Sequence, residues 1–187
     1  MSITPIVRWL CLRATDKTGL YEMVDVMSAE KRSLLMSRIR GKDTMPEITI
    51  RRILWRDGFR YRLHTRALPG RPDLVLPGRR AAIFVHGCFW HAHRGCSYFR
   101  LPKTRPEFWE EKLRRNRERD KAATRDLVDA GWRVAIVWEC AVRADAAAVG
   151  YLLGAWLRQT AQYLELGAVD HAVVGSSEAP NDHNPSY

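Results

Sequence analysis

Between Val85 and Cys96 the chain collects His86, His91 and His93, Cys88 and Cys96, and the adjacent aromatics Phe89 and Trp90, directly after the apolar run Ala81–Val85. This stretch limits the fold. A core cannot absorb so many polar rings, and thiolate and neutral imidazole are the donors that zinc prefers. Cys88, His93 and Cys96 form a C-x4-H-x2-C set, and a fourth ligand is available in Cys140, which follows a second apolar run at 132–138. If the two runs are neighbouring strands, Cys140 arrives at the same end of the sheet as Cys88. Cys3His then closes a tetrahedron with no position open to a substrate, which is the pattern of a structural zinc. The plainer reading is a set of buried free thiols beside an unrelated histidine.

The remaining elements are read around these two strands. Ser28 caps a helix to about Arg40, and Pro46 opens a second helix that Gly58 closes. Residues 59–64 alternate with period two and predict a strand, as do the short run Asp73–Leu76 and the buried run 81–85. Arg105 to Ala130 predicts one highly charged helix, 132–138 a fourth strand, and about 144–164 a last helix. Residues 1–26 are expected to be a flexible extension, 27–164 one folded domain, and 165–187 an acidic disordered tail. The order ααβββαβα implies an α/β fold, a mixed sheet with helices packed on its faces.

Charge narrows the partners. The net charge is +10, and Lys and Arg outnumber Asp and Glu by more than two to one over 28–80 and again over 94–125. Such basic surface is the footprint of a polyanion, most often nucleic acid, although a generic solvated face would look the same. Four widely spaced cysteines without a secretory signal favour metal binding in a reducing cytoplasm over disulfides. Arg8 interrupts the only apolar stretch near the N-terminus, so no membrane span is expected.

Asp73 follows the proline-stiffened turn Pro69-Gly70-Arg71-Pro72 and opens a strand. A carboxylate fixed in that way suits a hard cation such as Mg2+, and it is also ordinary turn chemistry. His86 and His91 remain once zinc takes His93. Either can accept a proton from water near neutral pH, or simply line the metal loop. Phe89 and Trp90 are awkward as core because neighbours in a loop do not both point inward. They suit stacking on or wedging between bases, with packing on the loop as the alternative, and Trp109 can join them or open its helix as a buried residue.

Taken together, Pro69–Asp73, Phe84–His91, Thr104–Trp109, Asn116–Asp120 and Gly131–Cys140 resemble, in order, the motifs of the very short patch repair (Vsr) endonuclease family over about residues 28 to 160. The resemblance implies a restriction-endonuclease-like fold with a structural zinc. It also implies Mg2+-dependent nicking of duplex DNA 5′ to the thymine of a T·G mismatch left by deaminated 5-methylcytosine. By the same resemblance Asp73 holds Mg2+ together with the backbone carbonyl of Val85, where many relatives have Thr. His91 is the general base, and His86 supports the hydrated metal with Asp120 as its partner. Glu47 is an acid near the site. Zinc takes Cys88, His93, Cys96 and Cys140, with one residue added between His93 and Cys96 relative to familiar members. Phe89, Trp90 and Trp109 wedge into DNA beside the mismatch, and Met36 inserts from the opposite groove. A monomer with a functional link to a DNA cytosine-5 methyltransferase and to mismatch-repair proteins is implied as well.

The residues also argue independently. Commoner nucleases of that fold carry an acid and a lysine on the strand after the first Asp. Here the strand reads Arg80-Ala81-Ala82-Ile83-Phe84-Val85 and has neither. Histidines and a cation must replace them if phosphodiesters are cleaved. Two alternatives stand beside this reading: a zinc-stabilised DNA-binding module without catalysis, and a nuclease of the same fold with another target.

Overall fold

Asp57 and Gly58 end the first described helix because Gly58 takes φ +87°, a conformation that β-carbons disfavour. The computed structural model describes residues 41–63 and 65–167 and the backbone of 173–175. The expected extension 1–26 and the expected helix 28–40, with Met36, lie outside the described residues. Helix α1 (Met45–Arg56) carries Pro46 in its first turn, and it is followed by β1 (Arg62–Leu63), β2 (Leu74–Leu76) and β3 (Ala81–His86). Then come α2 (Pro106–Asp129), β4 (Arg133–Trp138), α3 (Glu139–Arg158), β5 (Tyr163–Leu166) and β6 (Val173–Gly175).

The six strands lie in the order in which they occur. β1, β2 and β3 pair antiparallel, β3, β4 and β5 parallel, and β5 and β6 antiparallel. This is the mixed α/β sheet expected. The parallel pair has the register Val85↔Val137 and His86↔Trp138, so the loop after β3 and the start of α3 leave the sheet at the same end. Alternation sorts the strands onto two layers. Ile83, Val85, Ala135 and Val137 face a core with Leu54 and Leu153 of α1 and α3. Ala82, Phe84, Ile136 and Trp138 face the other side with Leu127 of α2 and the buried Cys88, Cys96 and Cys140. Leu54, Ile83, Leu127 and Leu153 are completely buried, each such side chain stabilising the fold by roughly 1.5–3 kcal/mol.

Two glycines set the packing. A β-carbon on Gly150 would stand 2.4 Å from Cγ2 of Ile53, so the small residue lets α3 close on α1. A β-carbon on Gly70, at φ +69°, would meet Cβ of Ala123 at 2.6 Å. The turn before Asp73 therefore lies against α2.

Several expectations are corrected. The strand at 59–64 shrinks to Arg62–Leu63, because Phe59 turns into the core at 4% exposure and the Tyr61 hydroxyl donates to the Arg51 carbonyl at 2.9 Å. The last helix begins at Glu139, not near 144, and ends at Arg158. It breaks at Asp145, whose carboxylate accepts from the Ala148 amide at 2.9 Å and starts the second segment. Residues 163–166 are strand, with Leu164 and Leu166 buried. Glu165, Leu166 and 173–175, assigned to a disordered tail from their acidic composition, thus belong to the sheet. By length and composition α3 could cross a membrane, yet it buries Val149, Leu153, Trp156 and Leu157 inside the protein.

Candidate active site and metal centre

The loop after β3 coils back on itself. His91 N donates to the Gly87 carbonyl at 3.2 Å, Ala92 N to Phe89 at 3.2 Å and His93 N to Cys88 at 2.9 Å. The coil sends the side chains of the loop to two different groups of neighbours. Cys88, His93 and Cys96 point one way and meet Cys140 from the first turn of α3, with ligand atoms all within 4.8 Å of one another. Nδ1 of His93 lies 3.7 Å from the Cys88 sulfur and 3.4 Å from that of Cys140. Those edges match a tetrahedron built with ordinary Zn–S and Zn–N bonds, whose S···N edge is about 3.6 Å. The three cysteines are buried and none is in a disulfide. Burial pushes the Cys88 thiol up as a free group, so a cation is what would favour the thiolate there. The donor set fits a metal ion.

His91 points the other way, to α2. Its Nδ1 is 2.6 Å from Oδ2 of Asp120, and its ring stacks on His86 at 3.8 Å and 4°. His86, His91 and Asp120 form a second group whose ligand atoms lie within 4.8 Å of one another. Asp120, expected as the partner of His86, lies in the same group and makes its hydrogen bond to His91. His86 ends β3 buried against Phe84 and Trp138. Burial, and secondarily the neighbouring His91, hold its imidazole down to about 3, although Asp120 pulls the other way. His86 is therefore neutral near pH 7.

Asp73 stands just before β2, at the end of the sheet where β3 finishes. Its Oδ2 accepts the amide hydrogen of Val85 at 2.8 Å, one residue before His86. That bond fixes the carboxylate beside the Val85 backbone and ties it to the strand carrying the histidine. A single oriented carboxylate next to a backbone carbonyl suits Mg2+, which keeps several of its waters and asks for few protein ligands. Glu47 lies elsewhere in its bonding. It is buried in the first turn of α1, where it accepts from the Asp43 amide and the Thr44 hydroxyl at 2.9 Å each and from Arg51 at 2.9 Å.

The aromatics form one cluster. Phe89 meets Trp90 at 5.1 Å and Trp109 at 5.4 Å, and Trp90 meets Trp109 at 6.1 Å. Phe89, Trp90 and Trp109 are half-buried, and the Lys112 ammonium stands 5.3 Å from the Trp90 ring and 5.2 Å from that of Trp109. Asn116 stands in one of the sequence motifs with no role assigned there; its side-chain amide donates to the Trp90 carbonyl at 2.9 Å and pins the loop to α2. The signal was present in its spacing, because Lys112, Asn116 and Asp120 recur every four residues and share one helix face.

Residues 24–97 match the family described as DNA mismatch endonuclease Vsr. The DNA mismatch endonuclease Vsr of Escherichia coli is 46% identical to this chain over 121 residues, 65% of this chain and 77% of that protein. The chain belongs to the DNA mismatch endonuclease Vsr family. Two Type II nicking enzymes are similarly related. V.XorIIP of Xanthomonas oryzae pv. oryzae is 49% identical over 118 residues, 63% of this chain and 86% of that protein. V.NmeAIP of Neisseria meningitidis is 40% identical over 124 residues, 66% of this chain and 88% of that protein. Membership agrees with the motif resemblance and favours an endonuclease over a binding module without catalysis.

Proposed function

We propose that the protein is a bacterial, cytoplasmic, monomeric repair endonuclease of restriction-endonuclease-like fold that nicks duplex DNA 5′ to the thymine of a T·G mismatch. The observation that carries this reading is the Asp120–His91 contact at 2.6 Å, set beside His86 and one strand from the carboxylate that Val85 holds. The names of the relatives, mismatch endonuclease and nicking enzyme, agree with it.

The proposed chemistry is hydrolysis. Asp120 accepts the Nδ1 hydrogen of His91, which leaves Nε2 as the basic nitrogen. Nε2 takes a proton from the attacking water, whose oxygen bonds to phosphorus as the bond to the leaving sugar oxygen breaks, and that oxygen takes up a proton from a second, solvent water. His86, neutral and stacked on His91, holds the base ring in plane and adds no charge to repel a cation. Asp73 and the Val85 carbonyl would hold Mg2+, which when bound supplies the positive charge that offsets the charge developing on the phosphate. Cys88, His93, Cys96 and Cys140 would hold a structural Zn2+. Glu47 is assigned the role of anchoring the turn before α1.

Recognition is assigned to the aromatic cluster. A T·G wobble unstacks more cheaply than a Watson–Crick pair, and Phe89, Trp90 and Trp109 would enter the stack there, with Met36 from the other groove. Such a substrate arises at sites where a DNA cytosine-5 methyltransferase has acted, since deamination of its product leaves T·G, and mismatch-repair proteins act on the same lesion. The test is Asp73→Ala, which is expected to abolish nicking while T·G binding survives. Normal cleavage by that variant contradicts the assignment.

A further inference from the structure

Trp138 stands between the two sites. Its ring stacks on His93, one of the four metal-type ligands, at 4.0 Å and 5°. The same ring meets the edge of His86 at 5.4 Å and 72°, and His86 in turn stacks on His91. One indole therefore touches both the ligand imidazole and the histidine pair. What sets the indole is a carboxylate from the next strand. Nε1 of Trp138 donates to Oε1 of Glu165 at 2.6 Å, and the hydroxyl of Tyr163 donates to Oε2 at 2.7 Å. Both oxygens of Glu165 are engaged, so the carboxylate is held from below by its own strand and passes that constraint to the ring. The register places it there: β4 and β5 run parallel with Ile136 opposite Glu165, two residues short of Trp138 on the same face.

A buried indole N–H needs an acceptor, and an aromatic ring without one is free to settle in another rotamer. Partners one step removed from a metal commonly fix the ring of a ligating histidine, and their loss costs about 10- to 100-fold in metal affinity or activity. We infer that Glu165 is a positioning residue, which by holding the Trp138 N–H couples the Cys3His metal centre to the His86–His91 pair. The coupling to catalysis rests on the function proposed above; the coupling to the metal centre does not. The acid lies in a segment whose composition reads as a tail, and its strand neighbour Tyr163 is kept protonated by burial and by Glu165 itself.

The experiment compares wild type, Glu165→Ala, Glu165→Gln, Trp138→Phe and the double variant Trp138→Phe with Glu165→Ala, all loaded with zinc. Two rates are read well below the melting temperature: release of zinc to a chromogenic chelator, and single-turnover nicking of a T·G duplex. Glu165→Ala and Trp138→Phe should each speed zinc release and slow nicking by about 10- to 100-fold, with KM little changed. The double variant should be no worse than either single one, because both remove the same bond. Glu165→Gln should stay near wild type, since its amide oxygen still accepts from the indole and Tyr163 can turn to accept from the amide nitrogen. Wild-type zinc release in both single variants overturns the inference, as do effects that add in the double variant. If Glu165→Ala does not fold, Trp138→Phe against Glu165→Gln decides in the same way. Should wild type fail to nick T·G at all, the proposed function fails while the zinc-release rates still test the link to the metal centre.

Discussion

Asp120 lies 2.6 Å from Nδ1 of His91, and that contact determines which nitrogen of the ring carries the hydrogen. A carboxylate only accepts, so Nδ1 donates and Nε2 keeps its lone pair. Asparagine at 120 can present a donor as well, and the preference for this tautomer is lost. Asp120→Asn and His91→Ala are each expected to slow single-turnover nicking by roughly 10²–10⁴-fold, with T·G affinity unchanged. The two together should be no slower than His91→Ala alone. Losses that multiply would show that the two residues act separately.

The metal centre makes a different demand. Cys88, Cys96 and Cys140 are buried and come from two separate stretches of chain, so a zinc there joins the loop after β3 to the start of α3. Purified protein should contain one Zn2+. Cys88→Ser or Cys140→Ser should lower the melting temperature or abolish cooperative melting, because a structural zinc contributes directly to folding. Metal analysis with thermal melts checks this, and a zinc-free protein that melts unchanged contradicts it.

His86 gives the pH dependence its sign. In the folded protein its imidazole is held down to about 3, against about 6.5 in an unfolded chain. Above pH 6.5 it is neutral in both states and contributes nothing. As pH falls below 6.5 the unfolded chain gains a proton that the folded chain does not, and stability declines by about 1.4 kcal/mol per pH unit from this group. Urea melts between pH 6.5 and 5.5 should therefore show a steeper loss for wild type than for His86→Asn, by about 1 kcal/mol. Equal slopes would mean that His86 titrates normally.

Much of this site was legible because ligand types announce themselves. The Cys and His spacing of the loop and the strand ending in Cys140 suffice to expect one metal cluster at one sheet end. The histidine count leaves His86 and His91 over. What spacing does not contain is which of them receives Asp120, since that depends on how the loop coils between Gly87 and His93. β5 was hidden for another reason. Its period-two pattern, Tyr163-Leu164-Glu165-Leu166, is four residues long and lies among acidic and small residues that resemble a tail. Its strand character comes from pairing with β4, which is a tertiary effect. Glu47 shows the opposite limit, because an acid in a first helical turn serves the helix start whether or not a site lies nearby.

The aromatic cluster separates recognition from chemistry. Trp90→Ala should weaken T·G binding more than matched-duplex binding, because nonspecific affinity comes from phosphate contacts of Lys and Arg. Arg114 and Arg115 are exposed on α2 and already bonded to Glu111 at 2.8 and 2.6 Å. Their replacement is expected to weaken both duplexes alike and to flatten the salt dependence. Anisotropy at two salt concentrations measures both effects. An equal loss on both duplexes for Trp90→Ala would place that ring in the core rather than at the mismatch.

The central claim is tested most directly on a labelled duplex carrying a single T·G pair, with T·A and C·G duplexes as controls, each incubated in Mg2+ and in EDTA. One nick is expected, on the thymine strand at the 5′ side of the mismatched thymine, in the T·G duplex with Mg2+ alone. Equal cleavage of the T·A duplex, or nicking that persists in EDTA, would contradict it.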